Sequence, residues 1–287
     1  ATLPRLRSRP VLLTGKARLA GVMGWPVGHS RSPRLHGHWF QRYGIDGVYV
    51  PLPVRPDDVE LAFRALPRLA FRGWNVTVPH KEAALRCCAP DAEAVRVGAV
   101  NTLVVNDGQI WGTNTDYLGF LGNLDQAAPG WDRGLDDAIV LGAGGACRAV
   151  IVALKSRDIG KIHLLNRTLE KAEDLALEFE GKIEPGTIGE FVERAAGARL
   201  VVNTTAVGMK GSRFDGLALD RLPADCLVTD IVYTPLVTPL LAEAASRGLR
   251  TVDGLGMLLH QAVPGFSHWG GRVPEVDDAL RSAVLQD

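Results

Sequence analysis

The chain has 287 residues, 46% of them hydrophobic and 22% charged, a composition that suits a globular protein with room for two domains of about 150 residues each. Lys plus Arg and Asp plus Glu both number 32, so the formal net charge is zero. That balance argues against the broad basic field of a nucleic-acid binder or of a protein held on an anionic membrane surface. Arg5, Arg7 and Arg9 precede a short apolar step, Val11-Leu12-Leu13, too short for a signal-peptide core, and read as a loose leader. No apolar run has the length of a bilayer span. Cys87, Cys88, Cys147 and Cys226 lack zinc-ligand spacing and read as reduced thiols of a cytoplasmic protein, with no metal site.

In chain order, residues 20–24 read as a strand end followed by a loop over 25–31. Ser32-Pro33 then reads as a helix start, with Ser at the cap and Pro at the first helical position. Residues 47–52 predict a second strand and 55–66 a second helix. A third strand is expected over 73–78, and Pro79 opens another helix. Residues 100–105 and 109–113 flank Asn106-Asp107-Gly108, a hairpin turn, so the first region reads as a mixed sheet. From Asp137 the texture changes. Apolar strands at 138–141, 161–165, 200–203 and 227–231 alternate with helical patterns, including one at 169–180. That alternation implies a parallel, doubly wound sheet. Helical patterns return after Gly254.

The first of these parallel strands runs into Gly142-Ala143-Gly144-Gly145-Ala146 at a strand-to-helix turn, where helix amides can hold a pyrophosphate. A tight turn alone also explains the glycines, and the sixth position is Cys147 rather than Gly. The next strand ends in Asn166-Arg167-Thr168, with Lys171 one turn on. A carboxylate there would select unphosphorylated ribose, whereas these residues favour a 2′-phosphate and hence NADP over NAD. The alternative is a capped helix with solvated cations.

Three loops of the first region carry small hydroxyls and amides. Ser30 and Ser32 stand at a helix start where they could donate to a carboxylate, although Ser32 also reads as a plain cap. Asn75 and Thr77 alternate with Val76 and Val78, placing the polar pair on one strand face. Lys81 falls in a first helical turn, where the helix dipole disfavours a cation. That suits a lysine that gives up and takes back a proton, against the plainer reading of a solvent-facing helix lysine. Asn101-Thr102 and Thr113-Asn114-Thr115-Asp116 form the third group. Asp116 is a good N-cap on its own; if it meets Lys81, the two make a donor–acceptor pair for a ring hydroxyl or carbonyl.

Taken together, these segments resemble the shikimate dehydrogenase family, which includes shikimate/quinate dehydrogenases. Gly24-Trp25-Pro26-Val27-Gly28-His29-Ser30-Arg31-Ser32-Pro33 resembles its opening loop. Residues 75–81, 98–102 and 112–120 resemble its next three motifs, and 142–149 with 166–168 its NADP motifs. Residues 203–209, 230–233 and 253–262 complete the set.

The resemblance implies an NADP-dependent oxidoreductase that reversibly reduces 3-dehydroshikimate to shikimate, in chorismate and aromatic amino acid biosynthesis. It implies a substrate carboxylate on Ser30 and Ser32, and ring hydroxyls on Asn75, Thr77, Asn101 and Gln261. Lys81 is the implied acid/base, Asp116 its partner, and Tyr233 closes the substrate side. Gly142, Ala143, Gly144, Gly145 and Ala146 would take the pyrophosphate. Asn166, Arg167, Thr168 and Lys171 would take the 2′-phosphate, with Ile231 and Gly254 on the nicotinamide side.

The implied fold is α/β with two domains: an N-terminal substrate domain with a mixed sheet (1–116 plus 255–287) and a Rossmann-type NADP-binding domain (117–254). The active site is expected in the cleft between them. Partners are the small-molecule substrate alone, with no nucleic acid or membrane, in a monomer or homodimer. Quinate or an amino analogue as substrate, or a non-catalytic NADP-binding sensor, are the rival readings. Three positions depart from the pattern: Gly37 follows His36 where Asn is usual, Cys147 replaces a small Ser, and Val207 stands where Ser is often seen.

Overall fold

The computed structural model describes residues 13–286. The leader reading at Arg5, Arg7 and Arg9, with Val11 and Leu12, lies outside the described residues. Two compact units emerge. The first holds the described residues within Ala1–Ala89, Thr102–Gly112 and Val263–Asp287; the second holds Pro90–Asn101 and Thr113–Ala262.

The first unit is built on a sheet of β1 (Arg18–Gly24), β2 (Gly47–Pro53), β3 (Phe71–Val76), β4 (Ala89–Pro90), β5 (Thr102–Asn106) and β6 (Gln109–Thr113), in the order β2-β1-β3-β5-β6-β4. Strand β1 runs parallel to β2 and β3, while β3 and β5 are antiparallel, the mixed sheet expected. Asp107 and Gly108 both take positive φ, +49° and +77°, as a two-residue hairpin turn requires.

The second unit carries β7 (Asp137–Leu141), β8 (Lys161–Asn166), β9 (Ile183–Thr187), β10 (Leu200–Asn203), β11 (Val207–Lys210), β12 (Leu227–Asp230) and β13 (Arg250–Val252). Its sheet runs β13-β12-β10-β7-β8-β9 with parallel pairing throughout. Numbered from β7, and leaving aside β11, which is not a member of the sheet, this is the 3-2-1-4-5-6 order of a dinucleotide-binding sheet. The continuous apolar run of β7 has a direct cause. Ala138 and Val140 enter one core cluster, with Ile162, Leu164 and Val202, while Ile139 and Leu141 enter another, with Leu165, Val201 and Val228. Alternate side chains of one strand thus fill opposite faces, so neither face is polar.

The helices are α1 (Ser32–Arg42), α2 (Val59–Ala65), α3 (Lys81–Arg86), α4 (Ala92–Val97), α5 (Asp116–Ala127), α6 (Gly145–Ser156), α7 (Leu169–Glu178), α8 (Phe191–Ala195), α9 (Pro239–Ser246), α10 (Leu255–Gly270) and α11 (Asp278–Leu285). Helix α5 approaches α10 closely because residue 119 is Gly: a Cβ there would sit 2.5 Å from the Met257 carbonyl oxygen and 2.7 Å from Gln261 Cβ. In the first unit, His36, Trp39, Tyr49, Phe266 and Trp269 form one aromatic cluster.

Several local expectations are corrected. Ser32 is the first residue of α1, not its cap; Arg31 is the cap residue and makes no side-chain capping bond. Asp116 likewise opens α5 behind Thr115, so it is not an N-cap. The Asp116 carboxylate instead accepts from the Asn101 side chain at 2.8 Å. Strand β3 ends at Val76; Thr77 lies beyond it and Val78 is 69% exposed, so the expected alternation stops two residues early. The helix expected over 55–66 splits into a 3-10 turn at Pro56–Asp58 and α2, and β5 starts at Thr102 rather than at Val100.

Candidate active site

The residues expected to matter fall into groups that the fold assembles separately. In the second unit, β7 turns at Gly142, whose φ is +103° and whose amide donates to the Leu165 carbonyl at 2.8 Å. A Cβ at this position would lie 2.6 Å from Thr205 Cγ2, so both the turn and the packing demand glycine. Gly144 and Gly145 differ, because a Cβ at either meets nothing within 4 Å. Their lack of side chains leaves room in front of the α6 N-terminus. That terminus has no side-chain cap and no acidic residue in its first turn, so its amides are available to an anion.

The same turn lines a cavity of about 940 Å³. Asn166, Arg167, Thr168 and Lys171 line it from the end of β8, and the Asn166 side-chain amide donates to the Thr168 carbonyl at 2.8 Å. The donor set is therefore a glycine turn, open helix amides and the three cations Arg167, Lys171 and Arg213 around one cavity, with Asp215 also on its wall. It fits a phosphorylated dinucleotide. The Cys147 thiol is fully buried and pushed up to about 12 by burial, so it fills the space of a small residue without reactivity.

Other walls of this cavity were not anticipated. Thr187 ends β9 and Ile188 and Gly189 follow it, while Ser212 to Asp215 follow β11. Thr205, also lining, is held by Asn203, whose side-chain oxygen accepts from the Thr205 amide at 2.9 Å and hydroxyl at 2.8 Å. Asn203 in turn donates to Asp230 at 2.9 Å, and Asp230 accepts from the Thr238 hydroxyl at 2.7 Å and the Val232 amide at 2.9 Å. Burial pushes the Asp230 carboxyl above the usual carboxylate range, against the pull of these donors. This network ties together the loops after β10 and β12. The motifs at 203–209 and 230–233 were visible in the sequence; their bracing role was not. The expected nicotinamide-side pair does meet: a Cβ on Gly254 would collide with the Ile231 backbone.

A second group in the same unit joins Asn101, Asp116 and Gln261. The Asn101 side-chain amide donates to Asp116 at 2.8 Å and to the Gln261 side-chain oxygen at 3.4 Å. Its own oxygen accepts from the Thr115 amide at 2.8 Å, which fixes the amide orientation. The Thr115 hydroxyl donates to the Gln261 carbonyl at 2.8 Å, and the Asp116 amide donates to the Asn114 side chain at 3.0 Å. Tyr233 is half-buried after β12.

In the first unit, the Ser32 amide donates to the Ser30 hydroxyl at 3.3 Å. Asn75 donates to the Thr102 hydroxyl at 3.0 Å. The Thr77 amide hooks back to the Met23 carbonyl at 2.8 Å. Helix α3 begins at Lys81 rather than at Pro79, which still leaves Lys81 in the first helical turn. The preceding His80 is buried and bonds the Val54 carbonyl through Nε2 at 2.7 Å, which anchors the start of that helix. His29 is an exposed loop residue. Lys81 and Asp116 belong to different units.

The departure at Gly37 leaves its neighbour informative. His36 is fully buried and stacks on Tyr49, with ring centroids 4.0 Å apart and planes at 10°. Burial lowers its pKa to about 3. The unfolded chain takes up this proton below about 6.5. The folded chain does not take it up until about 3, so the stability tied to neutral His36 is complete above pH 6.5 and is lost as the pH falls towards 3. A His36→Phe variant should lose roughly 2 kcal/mol less than the parent between pH 7 and pH 4.5, read by urea unfolding at each pH. Parallel curves would refute a neutral buried imidazole.

Two family models match this chain: the shikimate dehydrogenase substrate binding domain over residues 22–103, and shikimate / quinate 5-dehydrogenase over residues 133–256. The chain belongs to the shikimate dehydrogenase family. A shikimate dehydrogenase (NADP(+)) of Paramagnetospirillum magneticum is 54% identical over 95% of this chain and 100% of its own length. One from Rhodospirillum rubrum is 55% identical over 96% and 99%. Among solved structures, the shikimate 5-dehydrogenase of Thermus thermophilus in complex with NADP(H) and shikimate superposes with a TM-score of 0.82 at 36% identity, covering 93% of this chain and 98% of that one. The expected family, α/β fold and Rossmann-type domain therefore hold. Nothing in the structure explains Val207 in place of the serine often seen in shikimate dehydrogenases.

Proposed function

We propose that the chain catalyses the reversible NADPH-dependent reduction of 3-dehydroshikimate to shikimate. The observation that carries this reading is the Asn101–Asp116–Gln261 cluster, in which an oriented carboxamide holds a carboxylate beside a second carboxamide. Such a group accepts from and donates to a ring hydroxyl, and relatives at more than half identity over nearly the whole length bear the shikimate dehydrogenase name. NADPH, when bound, supplies the hydride equivalent, and Gly142 to Ala146 with Asn166, Arg167, Thr168 and Lys171 are the residues to hold it.

The remaining work is done by the chain. Ser30 and Ser32 take the substrate carboxylate, and Asn75, Thr77, Asn101 and Gln261 take ring hydroxyls. Tyr233 covers the substrate side, and Ile231 with Gly254 shape the nicotinamide side. Lys81 donates a proton to the oxygen of the reacting carbonyl in reduction and removes it in oxidation, with Asp116 supporting the ammonium and orienting the hydroxyl. Residues 1–116 with 255–287 form the substrate domain in this reading, and 117–254 the NADP domain. The proposal extends to a cytoplasmic monomer or homodimer, a setting consistent with the four free cysteines of the described residues.

The decisive assay measures initial rates with shikimate and quinate, each with NADP⁺ and NAD⁺. Shikimate with NADP⁺ should lead every other pair in kcat/KM by at least about tenfold, or about 1.4 kcal/mol. A quinate lead would transfer the reading to a quinate enzyme, and no turnover with any pair would leave a binding protein.

The cofactor turn supplies its own test. Gly144→Ala places a methyl group in open space, so Tm should stay within about 3 °C while KM for NADP⁺ rises about tenfold. Gly142→Ala faces a left-handed backbone and a collision, so Tm itself should fall by about 5 °C. Equal effects of the two variants, in melting and in saturation kinetics, would remove the distinction.

A further inference from the structure

Tyr49 lies on β2, two strands from Asn75, with β1 between them. The register sets Ala20 of β1 opposite Tyr49 and Val22 opposite Asn75, so these side chains share one sheet face. Tyr49 is 5% exposed, and its phenol crosses the small Ala20 to donate to the Asn75 side-chain oxygen at 2.6 Å. On its other side, Asn75 donates to Thr102 at 3.0 Å. The ring is held independently of these bonds, stacked on His36 and 5.9 Å from Trp269.

A phenylalanine would fill this aromatic cluster equally well, so packing alone does not call for the hydroxyl. A buried tyrosine hydroxyl has to find a partner, and the partner found here is Asn75, one of the residues assigned to substrate. We propose that Tyr49 is a positioning residue for the dehydrogenase reaction, a buried phenol that, with Thr102 on the far side, fixes the Asn75 carboxamide for a ring hydroxyl of the substrate. The inference rests on the assignment of Asn75 to the substrate. Tyr49 imposes the placement of that carboxamide from behind, as a residue that touches no substrate atom.

Tyr49→Phe keeps the ring and removes the hydrogen bond to Asn75. KM for shikimate should rise about tenfold, equivalent to about 1.4 kcal/mol, with KM for NADP⁺, kcat within about twofold and Tm nearly unchanged. Thr102→Val, which removes the anchor on the far side of Asn75, should move the same constant in the same direction and decides the matter if Tyr49→Phe folds poorly. Asn75→Ala separates the two layers of the argument. If Asn75→Ala leaves shikimate KM unchanged, the substrate assignment itself is wrong. If Asn75→Ala raises it while Tyr49→Phe and Thr102→Val do not, only the positioning role falls. A rise in both KM values together with a lower Tm would assign Tyr49 to the core and overturn the proposal.

Discussion

Replacing Lys81 with alanine is expected to lower kcat by about 10³-fold while shikimate KM changes by less than about threefold. The expectation follows from the division of labour proposed above. Binding of the ring is distributed over hydroxyls and carboxamides, whereas proton delivery to one oxygen depends on one ammonium. Removing that ammonium should leave the ground-state contacts largely in place and remove a group whose contribution arises as charge develops in the transition state. Lys81 opens α3, behind a His80 ring bonded to the Val54 carbonyl, so its backbone should not move when the side chain is shortened. Steady-state rates in both directions, with shikimate affinity measured separately by calorimetry, read the two constants apart. A Lys81→Ala enzyme with kcat within tenfold of the parent would falsify the proton role.

The second large effect concerns the cofactor's extra phosphate. Arg167 and Lys171 are exposed side chains that line the same cavity as the Gly142 turn. Each charge-assisted hydrogen bond to a phosphate contributes about 1.5–3 kcal/mol. The double variant Arg167→Ala/Lys171→Ala should therefore raise KM for NADP⁺ by about 10²-fold or more and leave KM for NAD⁺ within about threefold, so that the preference collapses or inverts. The contrast between the two cofactors is the useful number, because a distorted cavity would weaken both alike. Increasing salt should erode the parent's NADP⁺ preference more than the variant's. If the double variant keeps its preference, discrimination resides elsewhere on the cavity wall, where Arg213 is the next cation to remove.

Much of the fold could be read from residue order because its strongest elements are locally over-determined. The run through β7 is apolar on both faces, and the turn after it carries a glycine that the backbone requires. What stayed hidden has physical reasons. Strand β9 spells Ile-Glu-Pro-Gly-Thr, which has little intrinsic strand preference and forms because β8 offers a free edge. Strand β13 covers only Arg250–Val252 and exists through its pairing with β12.

In the site, residue types pointed to chemistry but not to partners. Ser32 and Asp116 have the right chemistry for helix caps and stand one position too late for it; the Asp116 carboxylate accepts from Asn101 instead. Tyr49 read as one more strand residue, since nothing local signals that a phenol will reach across a neighbouring strand. The Asn203–Asp230–Thr238 bracket joins residues from separate loops and has no sequence period to betray it.

The burial of Cys147 has a practical consequence. Its sulfur sits in the first turn of the helix behind the cofactor loop, walled off and strongly protonated. Modification by a maleimide therefore requires the surrounding layers to part. With Cys87, Cys88 and Cys226 replaced, the time course of its labelling would act as a clock for transient opening of the Rossmann half, reporting how often that half breathes from a thiol already in place.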